Sequence, residues 1–158
     1  MKSMCVLITV ILLSFTLYGQ EVLVSKEVKG AFEKLYPKAS DVKWEKEKKG
    51  EFEAGFKDDG KNISVVFDND GNLKETETSI PVTELPKPIA PYIGKKHEGF
   101  NITGAFKIID DKGKVTYEAE ITKDKERKEL NFNQDGKHIS KKEMKKEKKE
   151  IKDNEKED

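Results

Sequence analysis

Cysteine is nearly absent from this chain of 158 residues, in which Cys5 is the only one. A single cysteine cannot form an internal disulfide, and it cannot supply the several thiolates of a cysteine zinc site. The folded part of the chain must therefore depend on a packed hydrophobic core.

An excess of one charge sign is also absent, because 31 basic residues balance 31 acidic residues. No net positive charge is available to attract nucleic acid or an anionic membrane surface. The chain contains no Walker loop, dinucleotide fingerprint or nucleophile elbow. Its two histidines, His97 and His138, do not form a His-x-x-x-His metal motif. We therefore expect neither an enzyme nor a resident cofactor.

No apolar run approaches the roughly 20 residues that a membrane-spanning helix needs. The longest run covers residues 5–17, follows Lys2 and precedes Gly19. A positive charge, a short apolar stretch and a small residue, in that order, are typical of a secretory signal peptide. We predict a Sec-type signal peptide at residues 1–19, and export to the bacterial periplasm or medium without a remaining membrane anchor. The alternative is an uncleaved anchor.

The last 18 residues, 141–158, lack a hydrophobic pattern, since 8 are lysines, 7 are acidic and only Met144 and Ile151 are apolar. Such a segment cannot bury enough surface to offset its ordering entropy. We predict a charged, disordered tail that is solvated and partly helical where Lys and Glu pair. The alternative is an interaction tail or spacer.

Two sequence patterns occur twice at one offset of 65 residues. Phe52-Glu53-Ala54 returns as Tyr117-Glu118-Ala119, and Phe67-Asp68-Asn69-Asp70-Gly71 returns as Phe132-Asn133-Gln134-Asp135-Gly136. An unbroken offset predicts two tandem copies of one supersecondary unit. We place the first copy at residues 20–83 and the second at residues 84–140.

Each copy begins with a helical pattern and continues with short alternating runs. Val24, Val28, Phe32 and Leu35 have helical spacing before Pro37, and a second helix follows Pro86. Alternating runs separated by Gly-containing turns predict hairpins. The predicted fold class is α+β, with two repeats that each contain a helix and a four-stranded antiparallel sheet.

One face of each predicted sheet is apolar and the other is polar. We expect the helices to cover the apolar face and to bury Trp44, Phe52, Val65, Phe67, Tyr117, Leu130 and Phe132. Val42 belongs to the same apolar pattern. The opposite face, which we call the open face, carries Lys43, Glu45, Glu53, Gly55, Lys57, Asn62 and Ser64 in the first copy. We expect water to cover the open face.

The patterns together resemble the PepSY-like, beta-lactamase-inhibitor-like family over residues 24–140. The resemblance depends on Leu35-Tyr36-Pro37-Lys38-Ala39, Val42-Lys43-Trp44-Glu45, Phe52-Glu53-Ala54-Gly55-Phe56, Phe67-Asp68-Asn69-Asp70-Gly71-Asn72-Leu73, Glu75-Thr76-Glu77 and Leu85-Pro86. It implies an exported protein of the Bacteroidetes type with helix-plus-sheet repeats. The family name records a similarity in shape to an inhibitor of secreted beta-lactamases, which is an analogy of fold. Since inhibitors bind through exposed aromatic anchors, and nearly every aromatic here lies on the covered face, we do not expect tight inhibition.

Two acidic groups are candidates for cation or proton chemistry. Asp68 and Asp70 have the oxygen-rich look of a calcium loop, but position twelve of such a loop would be Ser79 where a Glu is needed. We favour a simple Asx-Gly turn, and therefore predict no metal site. Glu53, Glu118 and Glu120 share the open face, where neighbouring lysines favour cross-strand charge pairs over acid–base catalysis.

The sequence thus predicts a non-catalytic exported protein that binds a peptide or protein partner, in the manner of an inhibitor or of a module that restrains a peptidase. The predicted partner-binding face contains Lys43, Glu45, Glu53, Lys57, Glu118 and Glu120. The alternative function is an envelope sensor for a small ligand or a divalent cation, which would use Asp68, Asp70 and the carboxylates of the open face.

Overall fold

The computed structural model describes residues 22–140 and 143. The predicted signal peptide and the charged tail, except Glu143, lie outside the described residues. Two helices, a short 3-10 turn and eight strands follow one another: α1 (Lys26–Leu35), β1 (Ser40–Lys48), β2 (Glu51–Asp58), β3 (Lys61–Asp68), β4 (Leu73–Ser79), the 3-10 turn Val82–Glu84, α2 (Ile89–Lys96), β5 (Asn101–Asp110), β6 (Val115–Lys123), β7 (Glu126–Asn133) and β8 (His138–Ile139).

All eight strands form one antiparallel sheet in sequence order, where two four-stranded sheets were predicted. The junction is the β4–β5 pair, which runs from Glu75 opposite Asp110 to Ser79 opposite Phe106. Two separate sheets would each leave the backbone groups of an inner edge strand unpaired. Pairing β4 with β5 satisfies both edges and produces a single continuous face on each side.

The helices cover one side of this sheet. Val28 and Phe32, one turn apart in α1, pack on Ala54, Phe56, Val65 and Phe67. Ile89 and Ile93 of α2 pack on a second cluster that contains Ala105, Ala119, Ile121, Leu130 and Phe132. The apolar pattern thus predicted the covered face correctly.

Helix α1 is shorter than its apolar pattern predicted. Ser25 is the N-cap, and its Oγ accepts a hydrogen bond of 3.2 Å from Val28 N. Val24 therefore precedes the helix, although it still packs against the first cluster. Leu35 ends the helix, as its spacing predicted, but its side chain is 51% exposed.

Four of the seven residues that we expected in the core are buried, namely Val65, Phe67, Leu130 and Phe132. Trp44, Phe52 and Tyr117 are only half-buried, but they pack against the two clusters. Trp44 lies on β1, an edge strand of the sheet. A side chain on an edge strand has a neighbouring strand on one side only, which explains its partial exposure.

Val42 is 38% exposed because the register of β1 shifts before it. The β1–β2 pairing is irregular between Ser40 and Lys43, where Asp41 adopts a φ of 55°. A bulge of this kind reorients the neighbouring side chains. The alternating sequence pattern continues through the bulge, but the backbone does not.

Candidate functional site

The pairing register places all six predicted partner-binding residues on the open face. Lys43 pairs with Gly55, and Glu45 pairs with Glu53. Lys57 lies two residues after Gly55 on β2, so its side chain is on the same face. Glu77 of β4 lies between Ser64 of β3 and Ile108 of β5, and all three side chains are on the open face. The open face therefore continues across these strands to β6. Glu118 and Glu120 lie there, opposite Asn131 and Glu129 of β7.

These six residues form two separate groups. The first group lies on β1 and β2, where Lys43, Glu45 and Lys57 are exposed and Glu53 is half-buried. The Ser64 Oγ donates a hydrogen bond to Glu53 Oε1, and Lys57 Nζ lies 3.6 Å from Asp41 Oδ2. Three strands, β3 to β5, separate this group from Glu118 and Glu120 on β6.

Glu118 and Glu120 are buried, which corrects the expectation that water covers the whole open face. Glu118 is 5% exposed and Glu120 is 8% exposed. Phe106, which lies opposite Glu118 on β5, is buried as well. Because the two helices pack on the other side of the sheet, these open-face side chains must exclude water from one another. An aromatic ring therefore occupies the open face, although nearly every aromatic was expected on the covered face.

Several charged residues of the open face lie directly opposite a residue of like charge. Glu45 lies opposite Glu53, Glu75 opposite Asp110, and Glu120 opposite Glu129. Directly opposed like charges destabilise a sheet. Arg127 offsets part of this repulsion through an ion pair with Glu120 Oε1. Glu120 therefore has a cross-strand charge partner in Arg127, but the residue directly opposite it carries the same charge.

The acidic residues shift one another's protonation. Burial, with repulsion from Glu118 and Glu75, raises the pKa of Glu77 to about 8. Burial, with repulsion from Glu129 and Glu120, raises the pKa of Glu118 to about 7, although Arg127 works in the opposite direction. Low local dielectric strengthens such repulsion. At neutral pH, the carboxyl group of Glu77 is thus mostly protonated and that of Glu118 is partly protonated.

The structure adds Glu75, Glu77 and Glu129 to the acidic residues that sequence analysis selected. Glu75-Thr76-Glu77 has the alternation of a strand with an acidic face, and this signal was present in the sequence. Glu129 had no such signal, because it corresponds to Ser64 at the offset of 65 residues. Only the β6–β7 register brings it opposite Glu120.

The Asp68–Asp70 loop is a turn, as favoured from the sequence. Asp68 Oδ1 accepts hydrogen bonds from the backbone N–H groups of Asp70 and Asn72 at 3.0 and 2.9 Å. Partial burial would raise the pKa of Asp68, but the hydrogen bonds from Asn72 and Asp70 outweigh it and lower that pKa. The carboxylate therefore stabilises the turn by accepting hydrogen bonds from the backbone of the loop.

The two histidines pack against aromatic rings. The His138 ring is stacked on Tyr92 with centroids 5.1 Å apart, and His97 lies at the carboxyl end of α2, 6.2 Å from the same ring. Both are half-buried. Within the described part of the chain, the only group of three or more potential metal ligands consists of Glu118, Glu120 and Glu129.

The comparisons with known proteins agree with this architecture. The model of the family described as "Putative beta-lactamase-inhibitor-like, PepSY-like" matches residues 50–140. The chain belongs to this PepSY-like family. This confirms the resemblance noted from the sequence. A comparison with curated proteins gives no match.

Solved structures from Bacteroides share the fold. A DUF2874 family protein of Bacteroides uniformis has a TM-score of 0.65 at 19% identity, covering 75% of this chain and 88% of that one. A Bacteroides eggerthii structure of "putative periplasmic proteins" has a TM-score of 0.66 at 17% identity, covering 75% and 87%. A BLIP-like protein of Bacteroides fragilis has a TM-score of 0.59 at 21% identity, covering 77% and 86%. At these identities, the likeness establishes the fold alone.

Among the helices of the described residues, none has the length and apolar character needed to span a membrane.

Proposed function

We propose that this PepSY-like protein is a non-catalytic, exported binding module that holds a peptide or protein partner on its open face. The observation that carries the proposal is the concentration of acidic residues on the side of the sheet that the helices leave uncovered. Several of these carboxylates face one another across paired strands. A basic segment of a partner would reduce the repulsion among these carboxylates, and this would increase the affinity of the complex.

The surface chemistry favours a weak, salt-sensitive complex. Phe106 and Val66 are the buried apolar residues of the open face, so neither protrudes as an anchor that could fill a partner's pocket. Charged residues of β1 and β2, such as Glu45 and Lys57, are the exposed groups there. An inhibitor-like role, for example restraint of a secreted peptidase, is compatible with such a surface if the partner presents a basic segment.

Charge reversal tests this proposal on the intact fold. Replacing Glu45 and Glu53 together with lysine keeps a like-charged cross-strand pair but reverses its sign. We expect a partner captured by crosslinking from the native envelope to be lost with this variant. The matched control is Glu33→Lys, because Glu33 is an exposed residue of α1 on the helical side.

Salt provides a second criterion. The Debye length falls from about 10 Å at 0.1 M to about 3 Å at 1 M ionic strength, so the same partner should be lost in a high-salt wash. A partner that survives both high salt and the Glu45/Glu53 reversal, but is lost with Glu33→Lys, would place the binding surface on the helices.

We also propose that the two halves are tandem copies of one unit. Asn133 Oδ1 accepts from the backbone N–H groups of Asp135 and Lys137, as Asp68 does in the first half. Both loops place a glycine against the start of a helix, since a Cβ on Gly71 or Gly136 would lie 3.0 Å from Glu27 O or Pro86 Cβ. The same loop therefore supports the same helix in each half.

Export completes the proposal. The order of charge, apolar run and small residue in residues 1–19 supports a cleaved signal peptide, and the Bacteroides eggerthii neighbour is described as periplasmic. We expect protein from the envelope fraction to have an intact mass that begins at Gln20. A mass that retains residues 1–19 would contradict cleavage.

A further inference from the structure

One buried oxygen atom on the open face is left without a partner. Glu118 is 95% buried, and among residues 22–140 and 143 no group forms a hydrogen bond with its Oε1 atom. Leaving a buried polar atom unpaired is costly, and more so for a charged group. The Glu118 side chain points into a group that also contains Glu120 and Glu129. We call Glu118, Glu120 and Glu129 the acidic cluster.

The dimensions of the acidic cluster fit one cation. One carboxylate oxygen from each residue lies within 4.8 Å of the others. Two oxygens bound to the same Ca²⁺ at 2.3–2.6 Å can be at most about 5 Å apart. Three oxygens spread evenly around one Ca²⁺ lie at most about 4.5 Å apart, so small side-chain rotations bring the three oxygens onto one calcium ion.

The charge of the acidic cluster also fits. Three carboxylates carry three negative charges when ionised, and the guanidinium of Arg127 neutralises one of them at Glu120. A divalent ion would offset the repulsion among the three carboxylates. All three ligands are hard oxygen donors, and this favours Ca²⁺ over zinc or copper. Mg²⁺ requires a stricter octahedral geometry and keeps more of its water.

We infer that Glu118, Glu120 and Glu129 form a calcium site on the open face, with water completing the coordination shell. The site differs from the Asp68–Asp70 loop, whose carboxylate is used by the turn. The inference is independent of the proposed function, because the purified protein alone should bind the ion.

A bulge in β5 provides space for the site. The β5–β6 register shifts between Ile102 and Gly104, which pairs with Glu120. A Cβ on Gly104 would lie 2.9 Å from Glu120 Oε2 and 3.1 Å from the Phe106 ring. Gly104→Ala would therefore displace the Glu120 carboxylate without removing a charge. The matched control is Gly55→Ala on β2, where nothing lies within 4 Å of the added Cβ.

Calcium titration by isothermal calorimetry tests the inference. We expect one Ca²⁺ per chain, with a dissociation constant on the order of 10⁻⁴–10⁻³ M as in other extracellular sites, and at least tenfold weaker binding of Mg²⁺. Glu118→Gln, Glu129→Gln and Gly104→Ala should each weaken calcium binding by tenfold or more. Gly55→Ala and Glu126→Gln should leave it unchanged, since Glu126 is an exposed residue of β7 that pairs with Lys128.

Two variants identify the residues involved. Glu118→Gln removes the charge of the carboxylate whose buried Oε1 has no hydrogen-bond partner among the described residues, and Glu129→Gln removes a charge from the paired strand β7. Calcium binding that is absent at 10 mM, or that survives both Glu118→Gln and Glu129→Gln, would overturn the site.

Discussion

Phe67 and Val42 show how strongly burial depends on local backbone geometry. Both belong to the apolar pattern of the first half. Phe67 is fully buried in the first cluster, whereas the bulge at Asp41 leaves Val42 partly exposed. Residues of the same apolar pattern can therefore contribute very different amounts to stability.

Truncation of Phe67 should strongly destabilise the folded protein. Phe67→Ala removes most of a buried ring and leaves a cavity, and should lower the free energy of unfolding by about 3–5 kcal/mol. Val42→Ala removes an exposed side chain and should cost about 0.5 kcal/mol or less. Urea unfolding of both variants measures the difference. Similar costs for the two would mean that Val42 is packed as tightly as Phe67 and that the bulge does not expose it.

Glu77 and Glu118 should make stability depend on pH. Their pKa values of about 8 and about 7 lie above the ordinary value of 4.5, so the native state holds protons that the unfolded state has released. By linkage, stability is then highest near pH 5 and falls as pH rises through about 7 and 8. His97 opposes this trend near its own transition, because burial lowers its pKa.

The contribution of the two glutamates is isolated by comparing variants. The melting temperature of the native sequence should fall between pH 5 and pH 8.5. Glu77→Gln and Glu118→Gln should flatten that profile and stabilise the protein most at pH 8.5, while Glu45→Gln, at an exposed site, should follow the native profile. Parallel profiles for all of these proteins would show that neither Glu77 nor Glu118 carries a shifted pKa.

Among the elements, two of the tight loops between strands lie against the starts of the helices. The loops at Asp68, Asp110 and Asn133 have one hydrogen-bonding pattern, in which the first side chain accepts from two backbone N–H groups. Each loop also contains a glycine with a positive φ. In the Asp68 and Asn133 loops this glycine touches the start of a helix, whereas Gly113 in the Asp110 loop has open space around it.

Glycine-to-alanine substitutions in these loops should distinguish the cost of backbone strain from the cost of a close contact with a helix. Gly113→Ala, at a φ of +77°, should cost about 1 kcal/mol through backbone strain alone. Gly71→Ala has the same strain at a φ of +82°, and adds a contact of 3.0 Å with Glu27 O. We expect it to cost about 1–3 kcal/mol more. Equal urea midpoints for the two variants would show that the loop does not support α1.

For the whole molecule, the continuous sheet should couple the two hydrophobic clusters. A unit of about 60 residues is marginal by itself, and separation of the halves would expose the edges of β4 and β5. Trp44 reports on the first cluster, while Phe132 belongs to the second. The halves should therefore unfold together.

Phe132→Ala tests this coupling. We expect the urea midpoint followed by Trp44 fluorescence to fall as far as the midpoint followed by far-ultraviolet circular dichroism. If the Trp44 transition stays at the midpoint of the native sequence while the dichroism signal shifts, the two halves unfold independently.

The amino-acid sequence by itself determined the α+β class, the family and the covered side of the sheet. These properties depend on local periodicity, since side chains at every second strand position or at every third to fourth helical position lie together. Val28 and Phe32, or Val65 and Phe67, could therefore be assigned to the core from spacing alone. The turn at Asp68 was equally predictable, because its hydrogen bonds are made within five residues.

Only the tertiary structure decided the rest. The β4–β5 pair joins residues that are about thirty positions apart, and no local pattern specifies which edge strands meet. The burial of Glu118 and Glu120 also depends on long-range pairing. It requires Phe106 on β5 and Glu129 on β7 to lie beside β6, together with the bulge near Gly104. Charge and polarity predicted exposed carboxylates at these positions. Long-range pairing instead buried them and brought their charges together, and this created the candidate site.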